Sequence, residues 1–352
     1  MNTLSSSDNL HAPLRTWTPP PDWLRVTTFD LHTAGEPLRV ITGGYPALEG
    51  ETILEKRKFA RDHADEIRTA LMWEPRGHRE MYGCVLTPAR SRDADFGIIF
   101  LHNEGYSTMC GHGTIAIATA AVTAGIVPAR EPETPVRIES PAGLITAYAR
   151  VSGGVVTSVR FHNVPSFVLS LEDKIDVPGV GRITYDLAFG GAFYAYVSAA
   201  QVGLTCRPGE LPRLVDLGMR IKRAIMQRRT IDHPIEKDLG FLYGTIFHAP
   251  PQGEADRRNV CIFAEGEVDR SPTGTGVSGR LAIDFARNEL KVGQPMVVES
   301  IIGTTFTGRV VRATMFEKYQ AIIPEIEGAA YITGRHEFWI DPSDPLRHGF
   351  FI

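Results

Sequence analysis

One series of short motifs occurs twice in the 352-residue chain, in the same order each time. In the first half, the β-rich run FGIIFL at 96–101 leads to CGHG at 110–113, a helical pattern, a Gly/Pro turn and ESPAG. In the second half, NVCIFAEG at 259–266 leads to TGTG at 273–276, a helical pattern, a Gly/Pro turn and ESIIG. This self-similarity predicts a duplicated unit, hence two similar domains related by a pseudo-twofold axis. The alternative is two unrelated halves that share a common strand-to-helix turn.

The repeat also predicts how the chain is divided. Residues 1–22 are rich in Ser and Pro and are expected to form a flexible N-terminal arm. The first domain is predicted at 23–153 and the second at 154–327, while 328–352 has no counterpart and is expected to pack back on the first domain. Short β-branched runs outnumber helical patterns, which predicts an α/β protein with largely antiparallel sheets.

Composition limits the partners. With 43% apolar residues, 22% charged residues and a net charge of -4, the chain is expected to bind neither nucleic acid nor an anionic membrane. The N-terminus lacks a signal-peptide pattern, and the longest weakly polar run, 113–128, is too short to span a bilayer. The four cysteines form no CxxC pair and no zinc-like cluster, which predicts reduced thiols, no metal and a cytoplasmic location. A homodimer is the default expectation for the oligomeric state.

The two Gly-x-Gly turns suggest a site for a small anion. A helix that opens on such a turn directs free backbone N–H groups and a positive dipole end at its ligand. The chain contains no GxxxxGK[S/T] run, and neither turn has the GxGxxG spacing of a dinucleotide site. Phosphate and carboxylate both remain candidate ligands at this point.

The residue before each turn differs between the halves. Cys110 precedes the first turn, where a helix end is expected to stabilise its thiolate as a base or nucleophile near neutral pH. The other cysteines are interpreted as buried apolar residues. Thr273 precedes the second turn, and a threonine hydroxyl does not ionise near neutral pH. The two turns are therefore expected to be equivalent in geometry, but only the first carries a side chain that can act as a base.

Four longer motifs resemble the proline racemase family from about residue 24 onward. They are DLHTAGEPLR at 30–39, NEGYSTMCGHGTIA at 103–116, DLAFGGAFYAYV at 186–197 and DRSPTGTGVSGRLA at 269–282. The resemblance implies a diaminopimelate epimerase-like fold. In that fold two similar α/β domains, each a curved sheet around a central helix, enclose an active site that uses no cofactor.

The resemblance also implies an activity. Racemases and epimerases of this family carry one cysteine per domain, on opposite faces of the substrate α-carbon, whereas Thr273 occupies the second slot here. The Cys/Thr pair resembles the trans-3-hydroxy-L-proline dehydratases, so the expected substrate is an amino acid of the hydroxyproline class. By the same resemblance Cys110 is the base. We expect Cys110, once it is a thiol again, to help protonate the departing 3-hydroxyl, and Thr273 to transfer no proton and to fill its slot or hydrogen-bond to the ring.

The remaining roles follow from the same motifs. The residues implied to bind the carboxylate through their amides are Gly111, His112, Gly274 and Thr275. Asp269 and the His112 side chain are implied to contact the ring nitrogen, and Tyr82 and Phe263 to flank the ring. The alternatives are a helix-capping carboxylate for Asp269 and a purely structural histidine for His112. Glu36 is expected to be architectural.

Three other functions stay open. The nearest is a proline racemase or hydroxyproline 2-epimerase that uses another acid in place of the missing cysteine. A Cys-His hydrolase would need Cys110 to pair with a distant histidine such as His233. A carboxylate-binding protein without catalytic activity is the third.

Overall fold

The structure, a computed structural model, describes residues 6–107 and 109–351, and over these ranges the chain forms six α-helices and eighteen β-strands. The helices are α1 (Ser6–Thr16), α2 (Ile53–His63), α3 (Asp65–Met72), α4 (Gly111–Thr123), α5 (Leu211–Arg228) and α6 (Gly274–Ala286). The strands of the first half are β1 (Leu24–Thr33), β2 (Glu36–Gly43), β3 (Tyr82–Thr87), β4 (Phe96–His102), β5 (Gly105–Ser107), β6 (Glu133–Ser140), β7 (Gly143–Ser152) and β8 (Val155–His162). Those of the second half are β9 (Ser166–Val177), β10 (Gly181–Phe189), β11 (Phe193–Ser198), β12 (Leu242–Ala249), β13 (Arg257–Phe263), β14 (Glu267–Asp269), β15 (Pro295–Glu299), β16 (Thr305–Phe316), β17 (Tyr319–Gly328) and β18 (Ala330–Ile340).

The strands of the two halves pair in the same series. In the first half, β1 is antiparallel to β2, β2 is parallel to β3, and β3 is antiparallel to β4. Strand β4 then pairs antiparallel with β5 and parallel with β6, and β6, β7 and β8 follow as an antiparallel meander. In the second half, β10 to β17 repeat this series of antiparallel and parallel pairs. The repeated motifs of the sequence therefore lie at corresponding places in one repeated strand arrangement.

The two strand sets are joined at their ends. Strand β8 pairs with β17, and β9 pairs with β10. Strand β18 pairs with β1 from Leu24↔Ile340 to Thr33↔Ala330, so the end of the chain returns to the first half. The predicted joint at 152–154 falls in the turn between β7 and β8, and the chain leaves the first set of strands after β8. The exact division into domains stays a prediction.

Helices α4 and α6 are the central helices of the two halves. Each is 13 residues long and starts at the first glycine of its Gly-x-Gly turn. Helix α4 contains no charged residue and packs against β1, β2, β7, β8 and β18, as expected of a helix that is apolar on all sides. Helix α6 packs against β9, β10, β16 and β17, and its buried Arg280 and Asp284 pair with each other at 2.9 Å. Side chains of both helices belong to one hydrophobic core.

One local prediction differs from the structure. The helical pattern of residues 53–71 predicts a single helix, whereas the structure has two, because the backbone turns at Ala64 (φ -136°, ψ 15°). The segment expected to be a flexible arm contains α1, and the ring of Trp17 packs 5.1 Å from that of Trp339, while the flexibility of the arm stays a prediction. Residues 1–5 of the arm lie outside the described residues. No helix in the described part of the chain has the length and apolarity needed to span a membrane.

Candidate active site

The N-terminal ends of α4 and α6 face each other. Helix α4 begins directly after Cys110 and helix α6 directly after Thr273. A methyl group on Gly111 would lie 3.8 Å from Cα of Gly274, and one on Gly274 would lie 3.9 Å from Cα of Gly111. The first amides of each helix have no intrahelical carbonyl to bond, and both dipoles place their positive ends here. Two anion-binding ends, one from each half of the chain, therefore meet at one place.

Cys110 caps α4 with its sulfur. The residue is extended (φ -145°, ψ 120°), and Sγ accepts a hydrogen bond from the amide of Gly113 at 3.2 Å. The Thr114 hydroxyl donates to the Cys110 carbonyl oxygen at 2.7 Å. Nδ1 of His112 lies 3.4 Å from Sγ. The thiol is 7% exposed and is held in one orientation at the helix end.

The side chains around Cys110 favour the thiol over the thiolate. Burial raises the pKa of Cys110 to about 12, although the Gly113 amide and the Tyr82 hydroxyl each lower it. The carboxyl groups of Asp269 and Glu36 raise it further. The helix end alone predicts a thiolate, and burial outweighs that effect. A positive charge placed beside the two carboxyl groups would shift the equilibrium back towards the thiolate.

Thr273 has an unusual backbone and an unpaired hydroxyl. Its φ of 67° lies in the left-handed region, which is sparsely populated by β-branched residues and costs about 1–3 kcal/mol. Its amide donates to the Ser271 hydroxyl at 3.1 Å. Its buried Oγ1 makes no hydrogen bond of ordinary geometry to any described residue, although Asp269 and Cys261 lie beside it. A buried hydroxyl without a partner is expected to bond to a ligand.

Cys261 is a second thiol beside Thr273. It lies in β13, opposite Asp269 of β14, and is 1% exposed. Burial raises the pKa of Cys261 well above its ordinary value. The sequence analysis interpreted this cysteine as structural and did not predict its position next to Thr273.

Two carboxylates from the first half hold the segment that carries Asp269. Glu36 Oε1 accepts a hydrogen bond from the amide of Arg270 at 2.5 Å, and Glu80 pairs with the Arg270 guanidinium at 2.8 Å. Glu80 also accepts from the amide of Val268 at 2.9 Å. Burial and the neighbouring Asp269 raise the pKa of Glu36 well above its usual range, and burial raises the pKa of Asp269. Glu36, expected to be architectural, thus has a defined contact in the structure, and no sequence pattern marks Glu80.

Aromatic side chains from both halves border the site. The ring of Tyr82 meets the ring of His112 edge-on at 4.9 Å, and its hydroxyl forms a short hydrogen bond with that of Ser107. Phe263 stacks on Tyr243 at 5.4 Å, and Tyr243 lies close enough to Tyr82 to influence its pKa. Tyr82 and Tyr243 each precede a glycine in corresponding strands, β3 and β12. This repeated Tyr-Gly pair is visible as YGCV and YGTI, and the sequence analysis missed it.

Two further residues of the sequence analysis have clear surroundings. The Thr275 hydroxyl forms a 2.8 Å hydrogen bond with that of Tyr194, beside the end of α6. His233 packs in an aromatic cluster, 4.7 Å from the ring of Phe189, whereas the histidine next to Cys110 is His112. His233, the example given for a hydrolase pair, therefore does not pair with Cys110.

The buried thiols predict a loss of stability at alkaline pH. Burial raises the pKa of all four cysteines, to about 12 for Cys110 and Cys206. Above the ordinary value of about 8.5 the unfolded chain loses thiol protons that the folded protein keeps. The folded state then binds more protons, so the free energy of unfolding decreases by up to about 1.4 kcal/mol per pH unit and per thiol.

Urea titrations between about pH 7.5 and pH 9 measure this slope below the range in which the buried tyrosines, whose pKa values are also raised, contribute to it. The variant Cys206→Ala removes one of the four thiols and should flatten the slope by about a quarter over this range. A free energy of unfolding that rises with pH over this range would contradict the prediction.

Comparison with known proteins identifies the family of this chain. Residues 28–351 match the proline racemase family. A trans-3-hydroxy-L-proline dehydratase of Colwellia psychrerythraea is 44% identical over 94% of this chain and 93% of its own. A 3-hydroxyproline 2-epimerase of Burkholderia multivorans is 46% identical over 93% of this chain and 98% of its own. A hydroxyproline epimerase structure from Agrobacterium vitis, with bound trans-4-hydroxy-L-proline, has a TM-score of 0.82 and 35% identity, covering 94% of this chain and 96% of that one.

The dehydratase and the epimerase are almost equally similar to this chain, so identity alone does not separate a lyase from an isomerase. The family match and the solved structure support the predicted α/β architecture. With a match that spans nearly every residue from β1 onward, the chain belongs to the proline racemase family.

Proposed function

We propose that the protein is a cofactor-independent trans-3-hydroxy-L-proline dehydratase. The observation that carries this proposal is a thiol, Cys110, paired with a hydroxyl, Thr273, at the facing ends of α4 and α6. A thiol can remove an α-proton, whereas a threonine hydroxyl does not ionise near neutral pH. A site with one base serves one face of the α-carbon, which is enough for an elimination and not for inversion. The similarity to the Colwellia psychrerythraea dehydratase supports the same activity.

The stereochemistry of the substrate fits a site that has a base on only one face of the α-carbon. In trans-3-hydroxy-L-proline the carboxylate and the 3-hydroxyl lie on opposite ring faces, so the α-hydrogen and the 3-hydroxyl share a face. Cys110 serves that face, removes the α-proton, and the hydroxyl leaves as water on the same side. The enamine that forms tautomerises to 1-pyrroline-2-carboxylate.

The residues around Cys110 and Thr273 bind the carboxylate, the nitrogen and the ring of the substrate in this proposal. The amides that bind the carboxylate, and stabilise the charge it gains, belong to Gly111, His112, Gly274 and Thr275. The protonated ring nitrogen lies by Asp269 and His112, and Tyr82 and Phe263 flank the ring. This positive charge offsets the carboxyl groups that raise the pKa of Cys110, so substrate binding itself converts the thiol into the base.

The proposal includes the architecture of the whole chain. The repeated strand series supports a diaminopimelate epimerase-like fold, with similar domains at 23–153 and 154–327 on a pseudo-twofold axis. We expect a homodimer in the cytoplasm.

A hydroxyproline 2-epimerase is the second candidate, because Cys261 lies beside Thr273 and the Burkholderia multivorans relative carries that name. In that case Cys261 would supply the proton on the second face. Its exposure of 1% argues against direct contact with a substrate. If Cys261 had this role, the wild-type enzyme would form a D-epimer and Cys261→Ser would abolish it.

The proposal is tested by incubating the enzyme with trans-3-hydroxy-L-proline, trans-4-hydroxy-L-proline and L-proline in deuterated buffer. The expected product is a cyclic imine from trans-3-hydroxy-L-proline, which borohydride reduces to proline. Mass and chirality analysis should find no D-epimer of any of the three. Deuterium in both epimers without loss of water would identify an epimerase, and no turnover of any of them would indicate a carboxylate-binding protein.

A further inference from the structure

We propose that the phenol of Tyr82 carries the abstracted proton from Cys110 to the departing 3-hydroxyl of the substrate, and that Ser107 holds the phenol in position. This inference rests on the proposed dehydratase function. It goes beyond the ring-flanking role of Tyr82 by naming the group that protonates the leaving oxygen.

The position of the phenol follows from the strand arrangement of the first half. Tyr82 begins β3, Ser107 ends β5, and both strands pair with β4, which lies between them. The two hydroxyl groups form a short hydrogen bond across β4. The ring of Tyr82 meets His112 edge-on at 4.9 Å, and His112 Nδ1 lies 3.4 Å from the sulfur of Cys110. The phenol also lies beside the sulfur and stabilises its thiolate form.

The reaction needs an acid at this place. Hydroxide is a strongly basic leaving group, so elimination is fast when the oxygen receives a proton as the C3–O bond breaks. The α-hydrogen and the 3-hydroxyl share a ring face, so the acid must lie on the same side as Cys110. Thr273 belongs to the opposite side. A proton donor next to the sulfur is therefore the group required.

Of the two proton-bearing side chains next to the sulfur, Tyr82 is the better donor. Burial raises the pKa of Tyr82 well above its ordinary value, so the phenol is protonated at neutral pH. Burial lowers the pKa of His112 to about 4, so this ring is neutral and carries one proton. That proton lies by the backbone carbonyl of Pro37, and in the proposed function the other ring nitrogen accepts a hydrogen bond from the protonated nitrogen of the substrate.

The step is balanced within the site. The thiolate of Cys110 takes the proton of C2, the S–H bond forms, and the C–H electron pair becomes the C2=C3 double bond. The C3–O bond breaks with its electron pair on oxygen, and this oxygen takes the proton of Tyr82 and leaves as water. The phenol oxygen recovers a proton from the new S–H group. The substrate has then lost one water, and both side chains are as they began.

The test compares two leaving groups in the variant Tyr82→Phe, which keeps the ring and removes the hydroxyl. In trans-3-fluoro-L-proline the leaving fluoride is a weak base that departs without a proton. We expect the variant to lose about 10²–10⁴-fold in kcat on trans-3-hydroxy-L-proline and less than about tenfold on the fluoro compound. Ser107→Ala should lose about tenfold on the hydroxy substrate, because the phenol is less well held. Tyr148→Phe, which removes a phenol of β7 whose ring packs on Arg160 and which has no role in the proposed site, should retain turnover of both.

The two substrates distinguish a Tyr82 that protonates the leaving group from a Tyr82 that has only a structural role. Equal losses on both substrates would show that Tyr82 acts only through Cys110 or through folding, and would overturn the proposal. Unchanged dehydration in Tyr82→Phe would overturn it as well. If Tyr82→Phe does not fold, as judged by thermal denaturation, the same pair of substrates is compared in Ser107→Ala. A wild-type enzyme that forms no cyclic imine would instead contradict the proposed function, before any variant is made.

Discussion

Replacing Cys110 by serine is expected to lower dehydration of trans-3-hydroxy-L-proline by about 10⁴-fold. The serine oxygen can still accept the amide of Gly113, as the sulfur does now, so the end of α4 should stay intact. Its hydroxyl does not ionise in the range where a thiol can be converted to a base. The loss is measured by trapping the cyclic imine with borohydride and quantifying the proline formed.

The matched control is Cys206→Ser, which changes a fully buried thiol in the second half. This variant should keep its activity, because among the described residues Cys206 bonds through its carbonyl to Arg258, which has no role in the proposed site. Binding of L-proline to the Cys110→Ser protein should persist, since the helix amides that hold the carboxylate are unchanged. Dehydration within tenfold of wild type in Cys110→Ser would remove Cys110 from the mechanism.

Local features explain why the two helix ends could be predicted. A Gly-x-Gly turn followed by an apolar helix is specified by neighbouring residues, and its repetition indicated that two such ends are equivalent. Cys110 and Thr273 stand out at once because each directly precedes its turn. The meeting of the two ends, seen in the contact between Gly111 and Gly274, was implied by the family resemblance and not by the equivalence of the two turns.

The parts that could not be predicted depend on contacts between distant residues. Glu36 meets the amide of Arg270 across 234 positions of sequence, and no local pattern marks such a pair. The pKa of Cys110 depends on how completely other elements bury it, whereas the sequence shows only the helix end. The backbone turn at Ala64 could not be predicted for the same reason. Alanine by itself favours a helix, and contacts with distant residues interrupt the helix here.

Replacing Thr273 by cysteine is expected to add 2-epimerisation, converting trans-3-hydroxy-L-proline to cis-3-hydroxy-D-proline. The new thiol would start α6 on the side of the α-carbon opposite Cys110, so each face would have a group able to carry a proton. Cysteine is not β-branched and should tolerate the φ of 67° better than threonine does. Chiral chromatography after reaction in deuterated buffer should show deuterium at C2 of the D-epimer.

The control Thr273→Ser keeps a hydroxyl and lacks a thiol, so it should dehydrate within about tenfold of wild type and form no D-epimer. We expect epimerisation by Thr273→Cys to exceed that of Thr273→Ser by at least about tenfold. Adding Cys261→Ser to Thr273→Cys should leave the epimerisation in place, which separates the new thiol from its buried neighbour. If Thr273→Cys dehydrates normally and forms no D-epimer, a thiol at this position does not reach the α-carbon. The hydroxyl of Thr273 would then not be the reason that the chemistry stays on one face.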